Sequence, residues 1–149
     1  MPKAAPAAKR PSHLEVLQEA SRILADPAAR DGNAVAAILA YVCRALDWQY
    51  GACWNEDEQT QQLHCTELSH EPALAGSEFI ALARSAAFRP GTTGFIRNTL
   101  KSGRPCFVAD ISTLSGMQRA PAALAAGLRS AFAFALMVDG RSVGVMEFF

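Results

Sequence analysis

Residues 127–149, GLRSAFAFALMVDGRSVGVMEFF, carry apolar side chains on both alternating sets of positions and read as two strands joined at Asp139-Gly140. A sheet apolar on both sides has to be covered on both sides. If Asp139-Gly140 forms the two-residue loop its chemistry favours, Phe132 faces Glu147, Phe134 faces Val145 and Leu136 faces Val143. Ala131, Ala133 and Ala135 then lie against Phe148, Met146 and Gly144. One face would be bulky and the other lined by small residues that let helices approach closely, with the bulky face needing a second layer or an enclosed cavity.

Upstream the period is helical. Ser12 and Glu15 have capping-box spacing, and Leu14, Leu17, Ile23 and Leu24 recur at helical intervals up to Asp26, before Pro27. After a turn at Asp31-Gly32-Asn33, Val35, Ile38, Leu39, Val42 and Leu46 share one face of a second helix. These two helices are candidates to cover the small-residue face. From Trp48 the period shortens: Tyr50, Ala52 and Trp54 alternate with Gly51 and Cys53, an acidic turn follows, and Leu63, Cys65 and Leu68 lie beyond it, as in a hairpin. A third helix is predicted over 77–87 with Ser77 as cap. A fourth follows Thr92 as N-cap and stops at Gly103, and Cys106-Phe107-Val108 is a short strand closing at Asp110. The segment holding Met117, Arg119 and Leu124 leads into the final hairpin. The order predicts an α+β domain: a central antiparallel sheet of about five strands with helices on both faces. The long insertion between the second and third strands is where a pocket wall would be built.

Half of the 149 residues are hydrophobic, enough for one domain with a real core and too few to expect two. Residues 1–11, rich in Ala, Pro and basic side chains, are expected to be a linker or disordered tail, with a single domain over 12–149. Net charge is zero, so there is no basic face to neutralise phosphates and no case for nucleic acid. The apolar runs are too short for a membrane span, and no apolar signal region follows Lys3, Lys9 and Arg10, which implies a cytoplasmic protein.

Among chemical motifs, there is no nucleophile elbow, no Walker lysine and no zinc-protease helix. Cys43, Cys53, Cys65 and Cys106 lack metal-ribbon spacing; they are free thiols, or Cys53 and Cys65 lie side by side as a redox pair. His64 and Cys65 are adjacent on a strand and point to opposite faces, so they cannot bind one metal from the same side. Gly91-Thr92-Thr93-Gly94 is a turn and helix cap, or a source of N–H groups for an anion. Glu147, on the expected bulky face, either contacts a ligand or reaches solvent or a basic neighbour such as Arg129. Arg119 offers a donor fork to a carboxylate or phosphate, or forms a salt bridge; its loop is placed over the bulky face. Trp54 stacks on a planar ligand or packs in the core.

Together these residues resemble a GAF domain (PAS-related) of the type found in bacterial sensor histidine kinases and related signalling proteins, over residues 35–149. The landmarks are the 48–54 strand with Gly51; Phe88, Pro90-Gly91 and Gly94; Gly103-Arg104-Pro105 leading to Asp110; Arg119 with Ala123; and Gly127-Leu128-Arg129-Ser130 followed by Phe132-Ala133-Phe134, Gly144-Val145 and Glu147-Phe148-Phe149. The resemblance implies a pocket on one face of the sheet, for which Trp54, Phe107, Asp110, Arg119, Phe132, Phe134 and Glu147 are the candidate residues. It leaves the cofactor unknown, since such pockets take cyclic nucleotides, tetrapyrroles, haem or small organic molecules. No cyclic-nucleotide signature is present, and no cysteine lies between Asp110 and Gly127 for a bilin. Ala135 stands where similar domains usually have proline, and the closing C-terminal helix of relatives is not in the chain. The implied function is a sensory module of a two-component or related system, not an enzyme, binding a small molecule or forming a homodimer and signalling to an output domain in a longer parent protein. The alternatives are a free methionine-(R)-sulfoxide reductase-like enzyme, with Cys106 as the best-placed thiol, and a ligand-free interaction module.

Overall fold

A computed structural model describes residues 11–27 and 34–149; the turn expected at 31–33 and nearly all of the N-terminal tail lie outside the described residues. Helix α1 (His13–Ala25) begins where its capping box directs: the Glu15 N–H donates to Ser12 Oγ (3.3 Å) and the Ser12 N–H donates to Glu15 Oε2 (2.6 Å). Helix α2 (Ala34–Leu46) leads into the hairpin β1 (Tyr50–Glu56) and β2 (Leu63–His70). Next come α3 (Glu78–Ser85), β3 (Ala87–Phe88), α4 (Phe95–Ser102), β4 (Cys106–Val108), α5 (Ala120–Ala125), β5 (Ala131–Val138) and β6 (Arg141–Phe148).

The strands form one antiparallel sheet in the order β3-β2-β1-β6-β5-β4, with helices on both faces. It is the expected α+β arrangement with one strand more than the sequence pattern announced. The addition, β3, is only two residues long and pairs Ala87 with His64 and Phe88 with Leu63. A strand that short carries no periodic signal. The start of α4 also differs from expectation: its N-cap is Gly94 at φ 139°, while the Thr92 hydroxyl turns back to donate to the Arg89 carbonyl (2.7 Å).

The final hairpin turns where predicted, with Asp139 and Gly140 both at positive φ (49° and 75°) as the right-handed strand twist favours. Val138 pairs with Arg141 and Met137 with Ser142, but a bulge between Leu136 and Met137 then adds one residue to β6. The expected register is therefore corrected by one position over the rest of the hairpin: Phe132 opposes Phe148, Ala133 opposes Glu147, Phe134 opposes Met146 and Ala135 opposes Val145. Because side chains alternate faces, a one-residue slip exchanges the partners of each face.

Two cores result. Tyr50, Ala52, Trp54, Ala131, Ala133, Val145 and Phe149 pack under α3, α4 and α5, so the small residues of β5 do permit close helix approach. The other face sets Cys53, Met146 and Phe148 against Leu39 and Cys43 of α2, with Phe132, Phe134 and Leu136 partly buried beside them. The N-terminal helices thus lie on the side of the bulky residues, not over the small-residue face as expected. On that face the β6 register sets the aromatic Phe148 beside Phe134 (ring centroids 6.3 Å apart, nearly parallel).

Gly144, just past the bulge, tolerates no side chain. A Cβ there would sit 2.5 Å from the Trp54 carbonyl oxygen and 2.8 Å from Asn55 Oδ1. The first of these is backbone in a central strand and cannot swing aside, so Gly144→Ala is expected to destabilise by about 1–3 kcal/mol, read as a lower urea midpoint at unchanged slope.

Candidate functional site

The site is built on the face covered by α3, α4 and α5. Tyr50 and Trp54, four residues apart on β1, point to this face by strand alternation, and Glu147 on neighbouring β6 pairs with Ala52 between them. Glu147 is 0% exposed. Tyr50 Oη (3.2 Å) and Trp54 Nε1 (2.9 Å) both donate to its Oε1, and Arg119 Nη2 donates to its Oε2 (2.9 Å). A buried carboxylate needs such partners, because an unpaired ion in the interior costs several kcal/mol.

Arg119 is supplied by the residue preceding α5, and its side chain is 6% exposed. Its guanidinium carbon lies 4.9 Å from the centroid of Trp54, 5.4 Å from Phe79 and 5.7 Å from Phe88, an aromatic cage that favours a cation. Burial, the largest single influence, lowers its pKa, but the charges and hydrogen bonds of Glu147 and Tyr50 together outweigh it and hold Arg119 above the ordinary guanidinium value. Burial, and then Glu147, pushes the Tyr50 phenol well above its usual range. One end of Arg119 is left over: Nη1 is buried and has no hydrogen-bond partner among the described residues.

Above Arg119 is a cavity of about 160 Å³ between the 87–97 segment and the 116–119 loop, with Phe88, Thr93, Gly94, Arg97, Met117 and Arg119 in its wall. Arg97 braces it. Its Nη1 donates to Glu56 Oε2 (2.6 Å) and its Nη2 to the carbonyls of Gln61 (2.6 Å) and Phe88 (2.8 Å), tying α4 to the β1–β2 hairpin and to β3. Its Nε is buried without a partner. Two buried arginine nitrogens, on residues that line this small cavity, thus have no partner among the described residues, and the described wall contains no carboxylate and no cysteine.

Of the residues singled out in the sequence, Arg119 lines this cavity and Glu147 and Trp54 sit directly behind it. Arg119 does not fold over the bulky face as expected, and Glu147 pairs with Arg119; Arg129 instead donates to the Leu124 and Leu128 carbonyls. Phe132 and Phe134 belong to the core opposite Glu147, which the bulge in β6 turns to the other face, and Phe107, which pairs with Phe132 on the edge, is 64% exposed. Asp110 caps a single 3-10 turn by accepting from the Ser112 N–H (2.9 Å). The sequence reading missed Tyr50 as a partner of the carboxylate and Arg97, Phe88 and Met117 as cavity wall. Tyr50 was findable, since period-two alternation puts it on the face of Trp54.

The thiols have a different environment. Burial pushes Cys43 up to about 11 and Cys65 to about 12, the latter with help from the Glu147 charge, and burial raises Cys53 as well. A raised thiol pKa means that the neutral form is favoured in the fold. Its stabilising contribution is full below the ordinary thiol value near 9 and is lost as pH rises towards 11 and 12. The urea midpoint is therefore expected to fall between about pH 8 and about pH 9.5, where unfolded thiols ionise. A Cys43→Ala/Cys65→Ala double variant should show a smaller fall; an equal fall would assign it to other groups.

The sequence matches the GAF domain family over residues 33–149, and the chain belongs to that family. Among solved structures it is similar to the A. aeolicus nlh2 GAF domain in an inactive state (16% identity, 91% of this chain and 77% of that one, TM-score 0.72). It is also similar to the free methionine-R-sulfoxide reductase from Neisseria meningitidis in complex with its substrate (19% identity, 91% and 71% covered, TM-score 0.69). A third similar structure is the GAF domain of a phosphoenolpyruvate-protein phosphotransferase from Coxiella burnetii (15% identity, 91% and 75% covered, TM-score 0.66). At these identities the likeness shows the fold alone. No curated protein matches the sequence. Among the described residues, no helix is long and apolar enough to cross a membrane.

Proposed function

We propose that this GAF domain is a regulatory module that takes a small molecule in the cavity beneath the 87–97 segment and passes its occupancy to an output domain. The observation that carries the reading is the position of Arg119, which forms part of the cavity wall at one end and is bonded to Glu147 of the central strand β6 at the other. A ligand that favours one placement of the 116–119 loop over another would bias the sheet through that ion pair, which is the differential contact that signalling requires. The GAF domain from the phosphotransferase is a relative by fold whose parent has a further function. A cytoplasmic location, a homodimer and an output partner such as a histidine kinase belong to this reading as proposals.

The reductase-like alternative has one observation in its favour, the structural likeness to the Neisseria enzyme. Against it, no cysteine lies in the described cavity wall, and Cys43, Cys53 and Cys65 are held as neutral thiols by burial. Nucleophilic sulfur needs a lowered pKa at an accessible position.

Native mass spectrometry of gently purified protein, against a denatured control, tests the regulatory reading. A discrete extra mass lost on denaturation supports it. An unliganded mass, together with an unfolding temperature that no small-molecule panel shifts, would leave the cavity without a regulatory role.

A further inference from the structure

We infer that the ligand of this cavity is a small planar oxyanion, with an organic carboxylate of short apolar body as the best fit. The inference rests on the regulatory reading above and names the chemistry of its ligand. Three features belong to residues that line the cavity. Arg119 Nη1 is buried and has no partner among the described residues although Nη2 is engaged by Glu147, and a buried charge-bearing donor left unsatisfied is costly unless something accepts from it. Arg97 Nε is likewise buried and unpartnered. The N-terminus of α4 opens on the same cavity at Gly94, Phe95, Ile96 and Arg97, and no side chain caps it. A helix start without a capping oxygen leaves its first N–H groups available to an anion, and the helix dipole adds to the attraction.

Charge and size narrow the class. Arg119 and Arg97 are each paired with one carboxylate, Glu147 and Glu56, through a guanidinium nitrogen other than the unused one. With no acidic residue in the described wall, a monoanion meets donors and no repulsion from the lining. A trigonal XO2 or XO3 group suits planar guanidinium donors better than a neutral amide, because charge-assisted bonds are roughly twice as strong. The volume of about 160 Å³ is close to that of a cavity that takes benzene, which allows a body of roughly six to nine heavy atoms. Phe88, Phe95 and Met117 provide its apolar wall. Gly94 keeps the mouth open: a Cβ there would lie 3.2 Å from the Gly116 carbonyl oxygen across the cavity rim.

The test is calorimetric titration and thermal unfolding with sodium butyrate and benzoate, the matched neutral amides butyramide and benzamide, and sodium nitrate, all at fixed ionic strength. The carboxylates should bind one to one, and the amides about tenfold more weakly or worse. Thr93→Glu places a competing carboxylate at an exposed wall position; it should weaken carboxylate binding by about tenfold or more while leaving the unfolding temperature in place. Arg119→Lys, which keeps a cation for Glu147 but removes the planar fork, should weaken it similarly. Nitrate binding as tightly as the carboxylates would assign the site to a free inorganic oxyanion; nitrate binding more weakly assigns it to an organic acid. Amides binding as tightly as the acids, or Thr93→Glu without effect on acid binding, would overturn the anion inference and leave the small-molecule reading standing. Failure of every probe combined with an unliganded native mass would overturn both.

Discussion

Glu147→Gln is expected to be the most damaging single substitution of a polar residue in this domain, at about 3–5 kcal/mol, because it leaves the Arg119 guanidinium buried without a counter-ion. The argument is one of partners. Glu147 is 0% exposed and accepts from three separate side chains, two of them on β1 and one from the 116–119 loop. A glutamine keeps the volume and one acceptor oxygen, so Tyr50 and Trp54 retain a partner in one amide orientation. The other end of the amide is then a donor facing a donor. Nothing in the cage around Arg119 replaces the lost charge: Trp54, Phe79 and Phe88 offer only ring faces, worth about 0.5–2 kcal/mol. Chemical unfolding in urea would show the loss as a lower midpoint. If Glu147→Gln unfolds within about 1 kcal/mol of the parent, water reaches the pair and the burial argument fails.

That pair also shows how far sequence alone reaches. Both partners stood out on chemical grounds: an acid within an apolar strand and an arginine in a loop that must lie near the sheet. What joined them was invisible. A glutamate on β6 faces one core or the other according to a single bulge between Leu136 and Met137, and no local rule for Asp139-Gly140 announces it. The turn residues specify the loop, and they did so correctly, but the register seven positions further depends on whether Gly144 can seat against the Trp54 carbonyl. The same slip separates Glu147 from Phe132 and Phe134, which lie on the α2 side. Elements with strong local signals were legible: the Ser12 box, the Ser77 cap, the left-handed Gly103 stop and the alternation of Tyr50, Ala52 and Trp54. Elements defined by long-range contact were not. The two residues of β3 are a strand only because Leu63 and His64 lie beside them. Gly94, not Thr92, starts α4; Thr92 belongs to the preceding turn, where its hydroxyl donates to the Arg89 carbonyl. The cavity itself is a product of that start, since its wall runs from Ala87 into the first turn of α4.

The second large effect concerns what the ion pair is for. Arg119→Met removes the cation and leaves Glu147 with Tyr50 and Trp54 on Oε1 but no partner on Oε2, a loss expected to be about 3 kcal/mol or more. Combining it with Glu147→Gln makes the site neutral: methionine fills the aromatic cage and the amide oxygen still accepts from the two β1 donors. The double variant should therefore be more stable than the sum of the single losses implies, with a coupling of about 2 kcal/mol or more. If the pair served stability alone, the neutral version would be an equal or better solution, since buried ion pairs are often matched by well-packed neutral residues. On the proposed reading, the cost of keeping a charge at 0% exposure is offset by the work of Arg119 at the cavity wall, where Nη1 has no partner among the described residues. A double variant that folds near parental stability yet no longer responds to carboxylates would separate the two roles. One that loses stability additively would show that Arg119 and Glu147 act independently, and the route from cavity to β6 would not exist.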